Sequence, residues 1–390
     1  MIEQAVVLAA GEGQRLRPFT ATKPKVMIKV ANKPILEYVV EALRNVGILD
    51  IIMVVGYKKE RIIDYFGDGT KFGVKISYAI QEQQLGTAHA LKQAKELVNE
   101  TFLVLPGDNI IDSNTVKFAL EPWTLVYKRV DEVSKYGAVV LENGKVKEII
   151  EKPSEKVSNL ANTGIYSFTE DIFNELDDET SLVSVINKLV AKGFEINAVE
   201  TQGTWMDIVY PWDILKVNDL AMRFSGKKVS GKVEGNVIIT GDVQIGKNTV
   251  IRGNTYIKGP VVIGEGCEIG PNAVIMPSTS IGDNVVVGAH SYISNSVIGN
   301  NVRILAGSFI QDSVIDRGCV IGSKFTANSD FTEIKIGEEY YKVQTGVFIG
   351  ENCRISANVV VEPGSIIGNN SSVAPLKPVR GTIPDNSRVL

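Results

Sequence analysis

The run from Leu8 to Lys25, Leu-Ala-Ala-Gly-Glu-Gly-Gln-Arg-Leu-Arg-Pro-Phe-Thr-Ala-Thr-Lys-Pro-Lys, gathers the residue types that hold anions. Gly11 and Gly13 lack a Cβ, so the backbone there can approach a ligand closely. Successive loop N–H groups can then cradle an anion. Arg15, Arg17, Lys23 and Lys25 follow within a few residues, and fixed cations beside such a loop suit a polyphosphate better than a single carboxylate. The chemistry implied is that of a nucleoside triphosphate. The run is not a Walker loop, and Leu16 occupies the third glycine position of a dinucleotide fingerprint. An ordinary strand-to-loop turn accounts for Gly11 and Gly13 alone. It does not account for Arg15, Pro18, Thr20, Pro24 and Lys25 together.

The full pattern resembles the signature of sugar-1-phosphate nucleotidylyltransferases, and the resemblance extends over about the first 215 residues. It implies that the triphosphate wraps around Leu8, Gly11 and Gly13. Arg15 would bind the phosphates and stabilise the departing pyrophosphate, with Lys25 on the other side. Asp108, in Pro106-Gly107-Asp108-Asn109, matches the metal-binding aspartate of that family, and Asp207, in Gly203-Thr204-Trp205-Met206-Asp207, matches the second ligand. Two carboxylates completed by phosphate oxygens and water suit Mg²⁺. Gln81, Gly86 and Thr87 would read the base, the side-chain amide offering one donor face and one acceptor to the imide edge of uracil or thymine. Family members with a glutamine there use pyrimidine triphosphates, which favours UTP or dTTP over GTP. His89 reads as a packed or capping residue. Gly137, Glu151, Lys152 and Asn162 match the sugar-pocket motifs, with Lys152 paired to the sugar phosphate and Glu151 and Asn162 to ring hydroxyls.

Elements able to hold these groups alternate along the first 225 or so residues. Strands are expected at Ala5–Ala10, Ile51–Gly56, Val74–Ile80 and Phe102–Pro106, and helices at Pro34–Val46, Lys59–Phe66 and Thr87–Val98. This alternation predicts a Rossmann-like, mostly parallel α/β sheet with helices on both faces. Ligands bind such sheets at the carboxyl ends of the strands, where the glycine loop, Gln81–Thr87 and Asp108 all fall.

The pattern changes after Phe224. From Val233 to Ile293 an aliphatic residue returns every six positions; the phase then slips to Ile298 and slips again to Ile315, and it resumes at Ile349. This is a hexapeptide β-helix repeat. By family resemblance it is a left-handed parallel β-helix that side-packs as a homotrimer or a dimer of trimers. Domains are expected at 1–225 and 226–390. Cys267, Cys319 and Cys353 each lie four residues after a repeat isoleucine, the slot filled elsewhere by Thr249, Ala273, Val285 and Ser308. They read as core residues without chemistry.

Many proteins of this plan use the β-helix only for assembly or regulation. Others resemble the bifunctional N-acetylglucosamine-1-phosphate uridyltransferases/glucosamine-1-phosphate acetyltransferases, in which the β-helix moves an acetyl group from acetyl-CoA to a sugar amine. His290, one of two histidines in the chain, lies three residues after Val287 and so points outward, as a general base for an amine would. The two slips shorten successive coils to 17 residues, Val287 to Ile304 and Ile304 to Ile321, and stack His290 over Gly307 and then Lys324, where the insertion is expected to begin. Between Ile321 and Ile349 the repeat breaks into a stretch holding Asn328, Tyr340, Tyr341 and Lys342. A crevice beside His290 is therefore expected, with Tyr292, Asn328 and Lys342 in the acetyl-transfer site. The phase slips bring the chain nearest to the archaeal members of this group.

A net charge of −4 excludes the basic footprint of a nucleic-acid binder, and no run approaches the apolar length of a membrane span. No secretory signal is visible, so the cytoplasm is the expected compartment. Three readings remain open: a bifunctional enzyme, a single-activity nucleotidylyltransferase with a structural β-helix, and a non-catalytic sugar-nucleotide sensor. Intact Arg15, Lys25 and Asp108 argue against the sensor.

Overall fold

The computed structural model describes residues 2–155, 157–176 and 179–390. It divides into two compact units. One contains the residues up to Glu12, Lys23–Met27 and Ile35–Asp207; the other contains Gly13–Thr22, Ile28–Pro34 and Ile208–Leu390.

The first unit is built on strands β1 (Gln4–Ala9), β2 (Asp50–Val55), β3 (Lys75–Ile80) and β4 (Thr101–Pro106). Their order is β3-β2-β1-β4, all parallel. β1, β2 and β4 are near-continuous apolar runs because helices cover both faces. Helix α1 (Ile35–Asn45) lays Leu36, Val39, Val40 and Leu43 over Val7, Met53 and Leu105, and α2 (Glu60–Phe66) adds Ile62 and Phe66 to the same core. Helices α3 (Thr87–Lys92) and α4 (Leu182–Ala191) cover Val6, Val54 and Val104 from the other side with Ala88, Leu91, Val185 and Ile186. The helix expected to reach Val98 ends at Lys92. There the chain tightens into three-residue turns, with Ala94 N–H donating to Leu91 O and Leu97 N–H to Ala94 O, each at 2.9 Å.

Beyond β4 the sheet is mixed. Strands β6 (Thr124–Arg129), β7 (Gly137–Glu142), β8 (Lys145–Glu151), β9 (Leu160–Thr169) and β10 (Asn197–Glu200) complete nine strands in the order β3-β2-β1-β4-β9-β6-β10-β8-β7. β9 runs antiparallel to both β4 and β6. The Rossmann-like parallel arrangement thus holds for the N-terminal half, and the antiparallel half lies where the sequence pattern assigns no elements. A separate ribbon pairs β5 (Asn109–Ile111) with β11 (Trp205–Asp207), setting Asp207 opposite Asn109.

In the second unit, strands of two or three residues stack into three parallel sheets, the faces of a β-helix. Ile257, Ile269, Ile281, Ile293, Ile304 and Ile321 point inward and are fully buried. Most corners use a left-handed residue, often asparagine, as at Asn248, Asn272, Asn284 and Asn301. Asparagine tolerates that conformation because its short side chain can bond the local backbone. The pairings Val287–Ile304 and Ile304–Ile321 carry the two 17-residue coils. All three cysteines are buried and unpaired, and their thiols donate to Gly282 O, Gly350 O and Gly368 O of the next coil at 3.0, 3.0 and 3.1 Å. Helix α5 (Asp213–Met222) belongs to this unit, pinned by the fully buried Asn218. Asn218 accepts from Ala31 N–H and Ser280 Oγ, both at 2.8 Å, and donates to Ser278 O at 2.9 Å.

Candidate active site

At the carboxyl ends of β1, β3 and β4 the first unit encloses a cavity of about 510 Å³. Leu8, Gly11, Gln81, Gly86, Thr87, Asp108, Gly137, Glu151, Asn162 and Asp207 all line it. These are ten of the positions singled out for triphosphate, base, metal and sugar.

The charged end is set by the β5–β11 ribbon, which brings Asp207 beside Asp108 across about a hundred residues of sequence. Lys25 Nζ lies 2.5 Å from Asp108 Oδ2 and 3.1 Å from Asp207 Oδ1. Burial would lower the pKa of this ammonium, but the two carboxylates outweigh it and hold the value above the ordinary one. The carboxylates therefore converge on one cation in this structure, and the Lys25 ammonium stands where a divalent ion could sit. Among the described residues no cluster of three or more His, Cys, Asp or Glu could hold a metal. Two converging carboxylates nonetheless fit Mg²⁺, which usually takes one or two carboxylates plus phosphate oxygens.

At the other end, Gln81 is buried and its Nε2 donates to Gly86 O at 3.1 Å. Gly86 has φ 113°, and a Cβ there would stand 2.2 Å from Thr180 O, so this turn requires glycine. Thr87 Oγ1 accepts from Leu182 N–H at 2.9 Å, which ties the loop to α4. On the sugar side, Asn162 Nδ2 donates to Tyr166 Oη at 2.7 Å, and Asn162 Oδ1 accepts from Gly164 N–H at 3.1 Å. Burial raises the pKa of the Tyr166 phenol, so it stays neutral and can hold Asn162. Tyr166 also lines the cavity and was missed in sequence, where it reads only as an apolar strand position. Lys152 lies outside the cavity lining, exposed and in the left-handed conformation at φ 44°.

Gly13 and Arg15 fall in the second unit. Gly13, left-handed at φ 77°, opens a short turn over Gln14–Leu16, and Thr20 Oγ1 donates to its carbonyl at 2.8 Å. Arg15 is exposed beside a cleft of about 540 Å³, lined also by Arg17, Glu338, Glu339 and Tyr341.

His290 is exposed at a β-helix corner with φ 60°, in the slot that Asn272 fills one coil earlier. Gly307 N–H donates to Ala289 O and Lys324 N–H to Ala306 O, so the expected stack of His290, Gly307 and Lys324 is present. The break in the repeat forms an antiparallel hairpin, Asp330–Ile336 with Glu339–Thr345. It leaves the following corner, after the strand Thr326–Ala327. A face carrying Tyr292, stacked on Phe309 at 4.8 Å, lies between His290 and the hairpin. The crevice expected beside His290 is therefore not built by this hairpin within one chain, because the added residues enter one corner later than the sequence register suggested. Asn328 is exposed at the hairpin's base, and Lys342 is 85% exposed and pairs with Glu333 at 3.6 Å.

Comparison with known proteins adds to this geometry. Residues 4–222 match the nucleotidyl transferase family model, residues 257–332 the GMPPB C-terminal domain, and residues 346–376 the bacterial transferase hexapeptide model of six repeats. The last match accords with a left-handed β-helix. The Bifunctional protein GlmU of Methanococcus maripaludis strain C7 is 40% identical, over 99% of this chain and 96% of its own. A bifunctional sugar-1-phosphate nucleotidylyltransferase/acetyltransferase of Sulfurisphaera tokodaii is 36% identical, over 95% and 96%. Among solved structures, UDP-glucose pyrophosphorylase complexed with UDP-glucose superposes with a TM-score of 0.51 at 26% identity, covering 57% of this chain and all of that one. No helix among the described residues is long and apolar enough to cross a membrane.

Proposed function

Since the chain belongs to the family of bifunctional GlmU-type sugar-1-phosphate nucleotidylyltransferases/acetyltransferases, we propose that it acetylates glucosamine 1-phosphate on the β-helix and couples the product to UTP in the α/β unit, with glucose 1-phosphate and dTTP as further substrates. The observation that carries the nucleotidyl half is the cavity in which Gln81, the Asp108–Lys25–Asp207 cluster, Glu151 and Asn162 converge.

The attacking group is already an anion, the phosphate of the sugar 1-phosphate. One of its oxygens bonds to the α-phosphorus as the bond to pyrophosphate breaks, and no general base is needed. The protein aligns the reactants and neutralises charge. Lys25 and Arg15 are assigned to the phosphates, Glu151 and Asn162 to sugar hydroxyls, Gln81, Gly86 and Thr87 to the base. Lys152 remains assigned to the sugar phosphate through its motif. Asp108 and Asp207 would hold Mg²⁺, which supplies charge neutralisation on phosphate oxygens.

For acetyl transfer, His290 takes a proton from the sugar amine as its nitrogen bonds to the thioester carbonyl carbon, and the C–S bond breaks as that proton passes to the departing sulfur, releasing the CoA thiol. Tyr292, Asn328 and Lys342 are assigned to binding. Because hairpin and histidine occupy successive corners, a neighbouring copy in a trimer is proposed to close the site. The functional boundary is placed near residue 225, just before the first β-helix strand at Lys228–Val229.

The test is a matrix of nucleotides and sugar 1-phosphates assayed for pyrophosphate, repeated with acetyl-CoA and amino sugars for thiol release. Turnover of UTP or dTTP with a glucose-type 1-phosphate, and of acetyl-CoA with glucosamine 1-phosphate, is expected. Pyrophosphate release without any thiol release would reduce the β-helix to an assembly module.

A further inference from the structure

Resting on the nucleotidyl-transfer reading above, we propose that His89 is a positioning residue that fixes which edge of Gln81 faces the base, and thereby sets preference for uracil or thymine over cytosine. Gln81 is 3% exposed and lines the cavity. Its Nε2 carries two hydrogens. One goes to Gly86 O at 3.1 Å, and a carbonyl can only accept, so the nitrogen side of the amide must face it. The same nitrogen lies 2.9 Å from His89 Nδ1. The second hydrogen can be received there only if Nδ1 is unprotonated, which places the ring proton on Nε2. Gln93 Nε2 donates to His89 O at 3.0 Å; its 3.4 Å approach to His89 Nε2 then sets a donor beside a donor and is not a hydrogen bond.

Both hydrogens of Gln81 are therefore spent inside the protein. Among the described residues no hydrogen bond reaches its Oε1, the atom left for the ligand. The sequence suggests an amide offering a donor and an acceptor together; the structure makes it an acceptor alone. A fixed acceptor takes the N3–H of an imide base and opposes cytosine, whose N3 is itself an acceptor. Without the imidazole, one anchor of the amide is lost. The terminal torsion of glutamine is broad and roughly two-fold, so the amide could then turn and offer its NH₂. His89 is only half-buried on α3, so its ring can be replaced without opening the core.

The test measures pyrophosphate release with UTP and with CTP at saturating sugar 1-phosphate. His89→Ala should raise the KM for UTP, leave the KM for the sugar phosphate unchanged, and lower the UTP-to-CTP ratio of kcat/KM by roughly tenfold or more, since an oriented polar group is lost. His89→Asn, whose carbonyl can accept from Gln81, should restore much of the ratio. In a Gln81→Ala background, removing His89 should change the ratio no further, which a merely structural role would not produce. His89→Lys, which can only donate, should erode the ratio as alanine does and serves if the alanine variant fails to fold. An unchanged ratio in His89→Ala, or an equal loss in the Gln81→Ala background, overturns the inference. If the unmodified protein turns over neither UTP nor dTTP, the function reading itself has failed, and the inference falls with it.

Discussion

At the scale of single residues, the Asp108–Lys25–Asp207 cluster makes the sharpest statement about charge. Removing the ammonium leaves two carboxylates without their shared counter-charge. Lys25→Met should therefore cost about 2–4 kcal/mol in metal-free buffer, toward the lower end for a pair that water partly reaches. Millimolar Mg²⁺ should restore more melting temperature to this variant than to the unmodified protein; an identical response in both would disprove a cation position between the carboxylates. The pH dependence follows from the raised Lys25 pKa. The folded state holds this proton more tightly than the unfolded chain does. Its stabilising contribution is thus complete below roughly pH 10.4, the unfolded value, and is lost as pH climbs through the higher folded value. Denaturant midpoints between about pH 6 and pH 9 should show no step from this group. Two further residues separate the activities. Arg15→Ala should lower pyrophosphate release by roughly a hundredfold and spare thiol release. His290→Ala should lower thiol release by about the same factor and spare pyrophosphate release. The left-handed conformation of His290, in a slot where asparagine is the easier occupant, is the kind of local cost that persists at functional positions.

Elements explain why some of this was legible in the sequence and some was not. β1, β2 and β4 are buried on both faces, so their apolar runs stand out, and the hexapeptide period stands out because each coil repeats one inward slot. The carboxylate pair Asp108 and Asp207 was visible only as two separate motifs. What joins them is the β5–β11 ribbon, a pairing between three-residue strands far too short to leave a pattern. The antiparallel half of the sheet was silent for a similar reason: β8 alternates irregularly through a register shift between Val146 and Glu148. The hairpin's corner was misplaced because a phase count locates the break in the repeat without saying which turn the extra residues leave from. Gly11 and Gly86, both in the cavity lining, can be told apart on the same grounds. A Cβ at Gly11 meets nothing within 4 Å, whereas one at Gly86 runs into Thr180 O. Gly11→Ala should leave the melting temperature unchanged and raise the KM for the triphosphate, because only a ligand approaches that closely. Gly86→Ala should lower the melting temperature by several degrees, consistent with a cost above about 1 kcal/mol. A stability loss in Gly11→Ala would mean that the loop, not the ligand, demands the glycine.

At the scale of the whole molecule, the β-helix core is continuous, with Cys267, Cys319 and Cys353 spread along it at 2%, 0% and 0% exposure. Burial pushes the Cys267 thiol above its ordinary pKa, which lowers its reactivity further. A thiol reagent should label none of the three in the native protein on the timescale that labels a free peptide, and all three together once denaturant collapses the stack. Early labelling of Cys353 alone would show that the coils unravel from one end. In a one-dimensional stack each coil is stabilised by its neighbours, so cooperative exposure is the expected behaviour. The two 17-residue coils have a consequence of another kind. Full-length coils share their inward slots, so duplicating the one from Val243 to Pro260, clear of the Ser278 and Ser280 contacts of Asn218, would preserve every slot. The shortened pair is a marked graduation inside a run of 18-residue coils, and His290 sits on the mark. In genetic terms, such a duplication should be nearly silent before Val261 and disabling across Val287.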